Sequence, residues 1–237
     1  MSEKLEQIIQ WMSDFKIKNN VNGVVLGLSG GKDSTTVAML AKKVFGDNVL
    51  AVSMPNGDQK DINDVQNIAK ALELDAITVN IKNIFNQLVN KTCLNLSEQA
   101  KINVAPRLRM TILYGIAQTM GYLVIGTGNK SEAMIGWTTK FGDSACDFNP
   151  IGHLTCREVI EIGKELAEEF GLAENYIVKK PADGLTGKTD EDNLGFTYEE
   201  LDNYLLYNIA GPNIDKIKNM IIWAEHKRKM PPKVDSL

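Results

Sequence analysis

One segment constrains the fold more than any other. Val24-Val25-Leu26-Gly27-Leu28 is a short apolar run that enters Ser29-Gly30-Gly31. Thr35 to Phe45 then takes up helical spacing through Val37, Leu40, Ala41 and Val44. This reads as a buried strand, a glycine loop and a helix. The alternation continues. Val49 to Met54 reads as a second strand stopped by Pro55-Asn56-Gly57, and Asp61 can cap a helix with Ile62, Val65, Ile68, Ala69 and Leu72 on its inner face. Ala76 to Ile81 reads as a third strand. Tyr122 to Gly126 reads as a fourth, ending in Thr127-Gly128-Asn129. Such alternation predicts an α/β fold, a doubly wound parallel sheet with helices on both faces. These sheets bind ligands outside the carboxyl ends of their strands, where the glycine-bearing segments after strands one and four would lie.

The remaining chain is mostly helical in pattern. Leu5, Ile8, Ile9, Met12 and Phe15 form an amphipathic opening helix. A longer helical region spans about Ile84 to Met120, with an interruption near Asn103–Pro106. Thr155–Glu158 and Thr197–Glu200 read as capping boxes before helices Val159–Phe170 and Leu201–Ile209. A last helix is expected from about Asn213 to Lys229. Lys179 to Asn193 has no periodicity and reads as a surface loop, expected to order over bound substrates. Met12, Met39 and Met110 fall on apolar helix faces and read as core. No repeat divides the chain, so residues 1–237 are expected to form a single domain.

Several classes are excluded. The net charge of −4 makes a general polyanion binder a poor fit, and no nucleic-acid partner is expected. Met110 to Asn129 carries no charged residue, but Thr111, Gln118, Thr119 and Gly121 favour a buried helix, a turn and a strand over a membrane span. Cys93, Cys146 and Cys156 are odd in number and lack zinc-ligand spacing. With no signal-peptide core at the amino terminus, reduced thiols in a cytoplasm are expected.

The glycine loop carries the chemistry. Gly30 and Gly31 let several backbone N–H groups aim at one anion, and the helix behind them adds partial positive charge. Ser29 and Ser34 add hydroxyl donors. Asp33 would repel a bare phosphate, so its placement points to a bridging Mg²⁺. The loop is not a Walker A motif, because Asp33 follows Lys32 and Leu26 stands where the first glycine belongs. A plain connecting turn is the bland alternative. The segment resembles the SGGxDS signature of the ATP pyrophosphatases, which cleave ATP between its α and β phosphates.

Further segments resemble one branch of these enzymes, the ammonia-dependent NAD synthetases. They are Met54-Pro55 with Gln59, Asn103 with Arg107-Leu108-Arg109-Met110, and GTGNKSE at Gly126 to Glu132. TKFGDSACDFNPIG at 139–152, TDEDNLGFTYEELDNYL at 189–205 and EHKRKMPP at 225–232 complete the set. The resemblance implies ATP as co-substrate, Mg²⁺, and a carbon–nitrogen ligase reaction. The nicotinate carboxylate of deamido-NAD would be adenylated with loss of diphosphate, and ammonia would then displace AMP. The family's larger members carry a glutaminase domain. About 30 residues precede the ATP loop here, too few for one, so ammonia is the expected nitrogen donor.

The resemblance also implies roles. Gly27, Leu28, Ser29, Gly30, Gly31, Lys32, Asp33 and Ser34 would bind ATP, as would Met54, Gln59 and Thr127. Asp33 and Glu132 would hold Mg²⁺, and with Lys140 they are the candidate catalytic residues. Arg107, Lys140, Asp147, His226 and Lys227 would bind deamido-NAD across a homodimer interface formed largely by helices around Ala105–Met120. Two positions depart from the family pattern. Cys156 stands where an ATP-contacting Lys is usual, and Ala182 where Ser or Thr is usual. Arg157 would point elsewhere, since a helix turns about 100° per residue. Weaker ATP binding is the expected consequence. Two other readings stay open: a tRNA-modifying ligase or thiolase using the same loop, and a nucleotide-binding module without catalysis.

Overall fold

A computed structural model describes residues 1–57, 62–92, 95–178 and 189–234. The chain opens with α1 (Glu3–Lys18), which Ser2 caps and which buries Leu5, Ile8 and Met12. β1 (Val24–Gly27), α2 (Lys32–Phe45), β2 (Val49–Ser53), α3 (Ile62–Ala71) and β3 (Asp75–Thr78) follow. Next come α4 (Lys82–Lys91), α5 (Glu98–Ile102), α6 (Val104–Met120), β4 (Leu123–Val124) and α7 (Lys130–Ile135). The last helices are α8 (Cys156–Phe170), α9 (Asn175–Val178), α10 (Asp190–Leu194), α11 (Tyr198–Tyr207), α12 (Ile214–Trp223) and α13 (Glu225–Arg228).

The strands form one parallel sheet in the order β3-β2-β1-β4. Successive strand residues point to opposite faces. Val24, Leu26, Val49 and Ala51 therefore join a core with residues of α1, α2, α3 and α8. Val25, Val52 and Val124 join a second core with Leu113 and Ala117 of α6. Apolar residues on both faces explain why these strands read as unbroken apolar runs. Each fully buried Leu or Val adds about 1.5–3 kcal/mol relative to exposure. The faces are unequally covered. β3 is exposed along its length, and Ile84 and Leu88 of α4, Ile102, and Tyr114 and Met120 of α6 remain exposed on the second face.

From β1 the chain steps outward to β2 and β3, then returns to place β4 on the other side of β1. The carboxyl ends of β1 and β4 thus flank the switch point, where such sheets open a crevice.

Several elements differ from the sequence reading. The long helical region breaks at Asn103 as expected, and Pro106 sits in the first turn of α6, where a missing N–H costs little. It also breaks between α4 and α5, where the Ser97 hydroxyl accepts from Ala100 N. β4 keeps only two residues. It is lengthened by a parallel bridge between Ile125 and Phe148. Gly121, with φ +67°, makes the turn between α6 and β4, and no described helix is long and apolar enough to cross a membrane. The Thr155–Glu158 box closes in both directions. The Thr197 box does not: Thr197 caps Glu200 N, but the Glu200 carboxylate takes Asn213 N at 2.6 Å instead. Thr189 opens the short helix α10, inside the stretch read as a loop.

The last helix is two, divided at the fully buried Ala224. A Cβ placed on Gly136 would lie 2.6 Å from the Ala224 Cβ, so this contact requires glycine there. Met12 and Met39 are buried and Met110 packs half-buried on the second core. Cys146 and Cys156 are free thiols. Cys93, the Asp61 cap, Gln59, Pro181, Ala182 and most of the Lys179–Asn193 stretch lie outside the described residues.

Candidate active site

The β1 loop is braced by its own hydroxyls and amides. Gly30 takes φ +80°, a region that favours glycine. The Ser34 hydroxyl accepts from Ser29 N at 3.2 Å, lies 3.0 Å from the Ser29 hydroxyl and donates to Gly31 O at 3.1 Å. Gly31 N donates back to the Ser29 hydroxyl at 3.3 Å. No side chain caps α2, whereas Asn129, Thr155, Thr189 and Thr197 cap α7, α8, α10 and α11. The Lys32, Asp33 and Ser34 amides open α2 without intrahelical carbonyl partners. They form the positive end of a helix facing the crevice.

The β4 loop meets this helix end from the other side. Asn129 is fully buried and serves both loops. Its Oδ1 accepts from Glu132 N at 3.0 Å, capping α7, while its Nδ2 donates to Asp33 Oδ1 at 3.0 Å. Asp33 Oδ2 holds the Lys32 ammonium at 2.6 Å. Lys32 is 3% exposed and lies 5.9 Å over the Tyr198 ring. Burial pulls its pKa down, but Asp33 and Glu132 together carry it above the ordinary lysine range. Burial, reinforced by Asp33, pushes the half-buried Glu132 up to about 8, against the pull of Lys32.

Behind these groups, Asp202 ties the floor together. It accepts from the Ser131 hydroxyl and, at 2.8 Å, from Arg157 N at the opening of α8. The Ser131 hydroxyl in turn accepts from Cys156 N at 2.9 Å. Burial lifts the Cys156 thiol to about 12, with Lys32 opposing. The Arg157 side chain turns away to Asn203 Oδ1 at 3.0 Å. Met54, 7% exposed, lines the β2 end, and its carbonyl accepts from Arg109 Nε at 3.0 Å. Thr127 is half-buried in the β4 loop.

A second, more exposed cluster follows α7. Arg107 Nε donates to Lys140 O at 3.3 Å, and the Lys140 ammonium donates to His226 O. The Lys227 ammonium donates to Gly136 O at 2.7 Å and Thr138 O at 2.8 Å. Four of the five expected dinucleotide-binding residues thus share one neighbourhood. The fifth, Asp147, lies apart. Its carboxylate accepts from Val124 N at 2.7 Å and from the Tyr114 hydroxyl at 3.3 Å. Tyr114 is seven residues beyond Arg107 on α6, about 10 Å along the helix.

This crevice joins an uncapped helix end, two carboxylates and a buried ammonium, the equipment for a metal-complexed polyphosphate. Residues 4–231 match the family model described as NAD synthase. The chain belongs to the NAD synthase family. It is 41% identical over 226 residues to the NH(3)-dependent NAD(+) synthetase of Finegoldia magna, covering 94% of this chain and 92% of that one. The NMN synthetase structure from Francisella tularensis superposes with a TM-score of 0.91 at 33% identity, covering 99% and 98% of the two chains. The NH3-dependent NAD synthetase from Campylobacter jejuni, in complex with the nitrate ion, gives 0.79 at 32% identity over 99% and 100%. As an NAD synthase the protein is an ATP-binding ligase of NAD biosynthesis.

Some residues of this NAD synthase crevice escaped the sequence reading. Asn129 is among them: its place three residues before Glu132 is a helix-cap signal that could have found it, whereas nothing local signals its bond to Asp33. Ser131, Asp202 and Tyr198 come from distant segments, and no local pattern connects them. Arg109 was visible only as part of a quoted motif.

Proposed function

We propose that the protein amidates the nicotinate carboxylate of deamido-NAD, using ATP and ammonia and releasing AMP and diphosphate. The observation that carries this reading is the Asn129 side chain, which bonds Asp33 on the β1 loop and the Glu132 amide on the β4 loop at 3.0 Å each and so brings the two acidic residues to the switch point, beside the uncapped end of α2. A carboxylate is a poor acyl donor, and adenylation gives it a good leaving group. The remaining work is positioning and charge neutralisation. The α2 amides, Ser29 and Ser34 bind phosphate oxygens. Met54 and Thr127 border the nucleotide, and the same role is proposed for Gln59 from the family resemblance alone. Arg107, Lys140, His226 and Lys227 hold the dinucleotide, with Asp147 reaching it from elsewhere in the assembly.

Asp33 and Glu132 would hold Mg²⁺. Among the described residues no group of three His, Cys, Asp or Glu could enclose a metal. Two carboxylates fit an ion that completes its shell with waters and substrate phosphates. When bound, Mg²⁺ neutralises phosphate charge.

The unit proposed is a homodimer of one-domain chains working in the cytoplasm. The exposed apolar side chains of α4 and α6 support a second copy on that face. Tyr114→Arg should convert a dimer to monomers in sedimentation; an unchanged mass rejects this interface.

The test of function is NAD formation from deamido-NAD, Mg-ATP and ammonium, with AMP and diphosphate followed in parallel. Equal yields of the three products are expected. AMP and diphosphate without NAD would reject the acceptor or the nitrogen donor. The likeness to the Francisella NMN synthetase favours a second reading, with nicotinate mononucleotide as acceptor. Competition between the two acceptors, read as the ratio of kcat/KM values, decides between them.

A further inference from the structure

Lys32 is an unexpected residue for its place. It is the first residue of α2, where the helix dipole disfavours a cation. Its side chain is 3% exposed, and a buried ammonium is costly unless it is paired. Its partner is Asp33, at 2.6 Å, and Glu132 adds attraction from α7. Asn129 donates to the other Asp33 oxygen at 3.0 Å, which holds the carboxylate between the amide and the ammonium. Tyr198 closes over the ammonium from α11, and the neutral Cys156 thiol faces it from α8. The ammonium is therefore enclosed, charged and directed at the two acids proposed to receive the metal.

The Lys32 ammonium offsets one of the two carboxylates. A divalent cation on Asp33 and Glu132 would leave the Lys32 ammonium buried beside a positive ion. The triphosphate arriving at the same helix end is the anion that could take over its pairing. We propose that Lys32 is a resident counter-ion that changes partner on nucleotide binding, leaving Asp33 for a phosphate oxygen of ATP as the metal takes the acids. The proposal rests on the reading of this crevice as the Mg-ATP site. It assigns the side chain of Lys32 a role distinct from the loop amides: it weakens metal binding without nucleotide and strengthens nucleotide binding, so the two ligands load together.

The substitution Lys32→Met keeps the apolar stem and removes the charge. Two affinities are read on the full chain: Mn²⁺ alone by electron paramagnetic resonance, and ATP in EDTA by calorimetry. With the ammonium gone, Mn²⁺ should bind about tenfold tighter and ATP at least about tenfold weaker. Opposite shifts in one variant cannot come from loss of fold, which weakens both. Unchanged ATP affinity, or a fall in both affinities, overturns the proposal. The double variant Lys32→Met/Cys156→Lys returns an ammonium from the facing helix. It should bring ATP affinity to within about threefold of the parent, and failure to recover also overturns the proposal. If the parent protein binds neither Mn²⁺ nor ATP, the Mg-ATP reading itself falls, a result seen before any substitution is made.

Discussion

The two halves of the crevice are built differently. The half around Asp33, Glu132 and Asn129 is knitted into the sheet ends. Asn129, Ser131 and Asp202 are buried, and their bonds connect α2, α7, α8 and α11. The half around Arg107, Lys140 and His226 is exposed or half-exposed, and its cations donate mainly to backbone carbonyls. The difference shows how much geometry one chain can supply. A phosphate loop needs fixed amides and paired charges, which a buried network provides. The cations of the outer half keep donors available beyond these carbonyls.

The comparison can be broken by substitution. The largest effect is expected for Asp33→Asn, which should lower kcat by about 100-fold or more and, by leaving the buried Lys32 ammonium without its 2.6 Å partner, lower the thermal midpoint as well. An activity within tenfold of the parent would remove Asp33 from the chemistry. Next is Asn129→Ala, which cuts the bond between the loops and the α7 cap together. It should cost about 1–2 kcal/mol in urea unfolding and at least about tenfold in activity. Loss of activity alone would mean that the inner half is less integrated than its bonds imply. Lys140→Ala tests the outer half. It should raise the KM for the acceptor about tenfold while thermal midpoint and ATP affinity hold. A fall in midpoint of several degrees would erase the contrast between the halves.

The smallest effect concerns acid stability. Burial pushes the Glu158 carboxyl up, but hydrogen bonds from Lys4 and Thr155 more than offset it and leave it below its ordinary value. Its contribution is therefore present above the ordinary Glu pKa and is lost as pH falls through the lower folded value. Glu158→Gln should cost less than about 1 kcal/mol at pH 7 and nothing near pH 3, measured by urea unfolding at both. An equal loss at the two pH values would assign the effect to packing.

Much of this architecture was legible in the chain. The β1 run, the glycine loop and α2 combine local preferences with a short-range pattern, and the structure places them where the pattern does. The Thr155 box was legible for the same reason, since both of its bonds span three residues. The Thr197 box failed because Glu200 found a partner in Asn213, thirteen residues on. The spacing at the carboxyl end is continuous and predicts a single helix there. Its break at Ala224 answers to the close approach of Gly136, a contact between segments far apart in the chain.

Sequence alone determined the strand–loop–helix unit, the sheet class and the family, because periodicity and motif spacing act over a few residues. Only the tertiary structure decided that Asn129 joins the two loops, that Asp202 anchors the floor, and that Lys32 lies buried against Asp33. The physical reason is that pairing a buried charge depends on which distant segments the fold brings within hydrogen-bond reach. A lysine in a glycine loop reads the same whether its ammonium faces water or the carboxylates of the crevice.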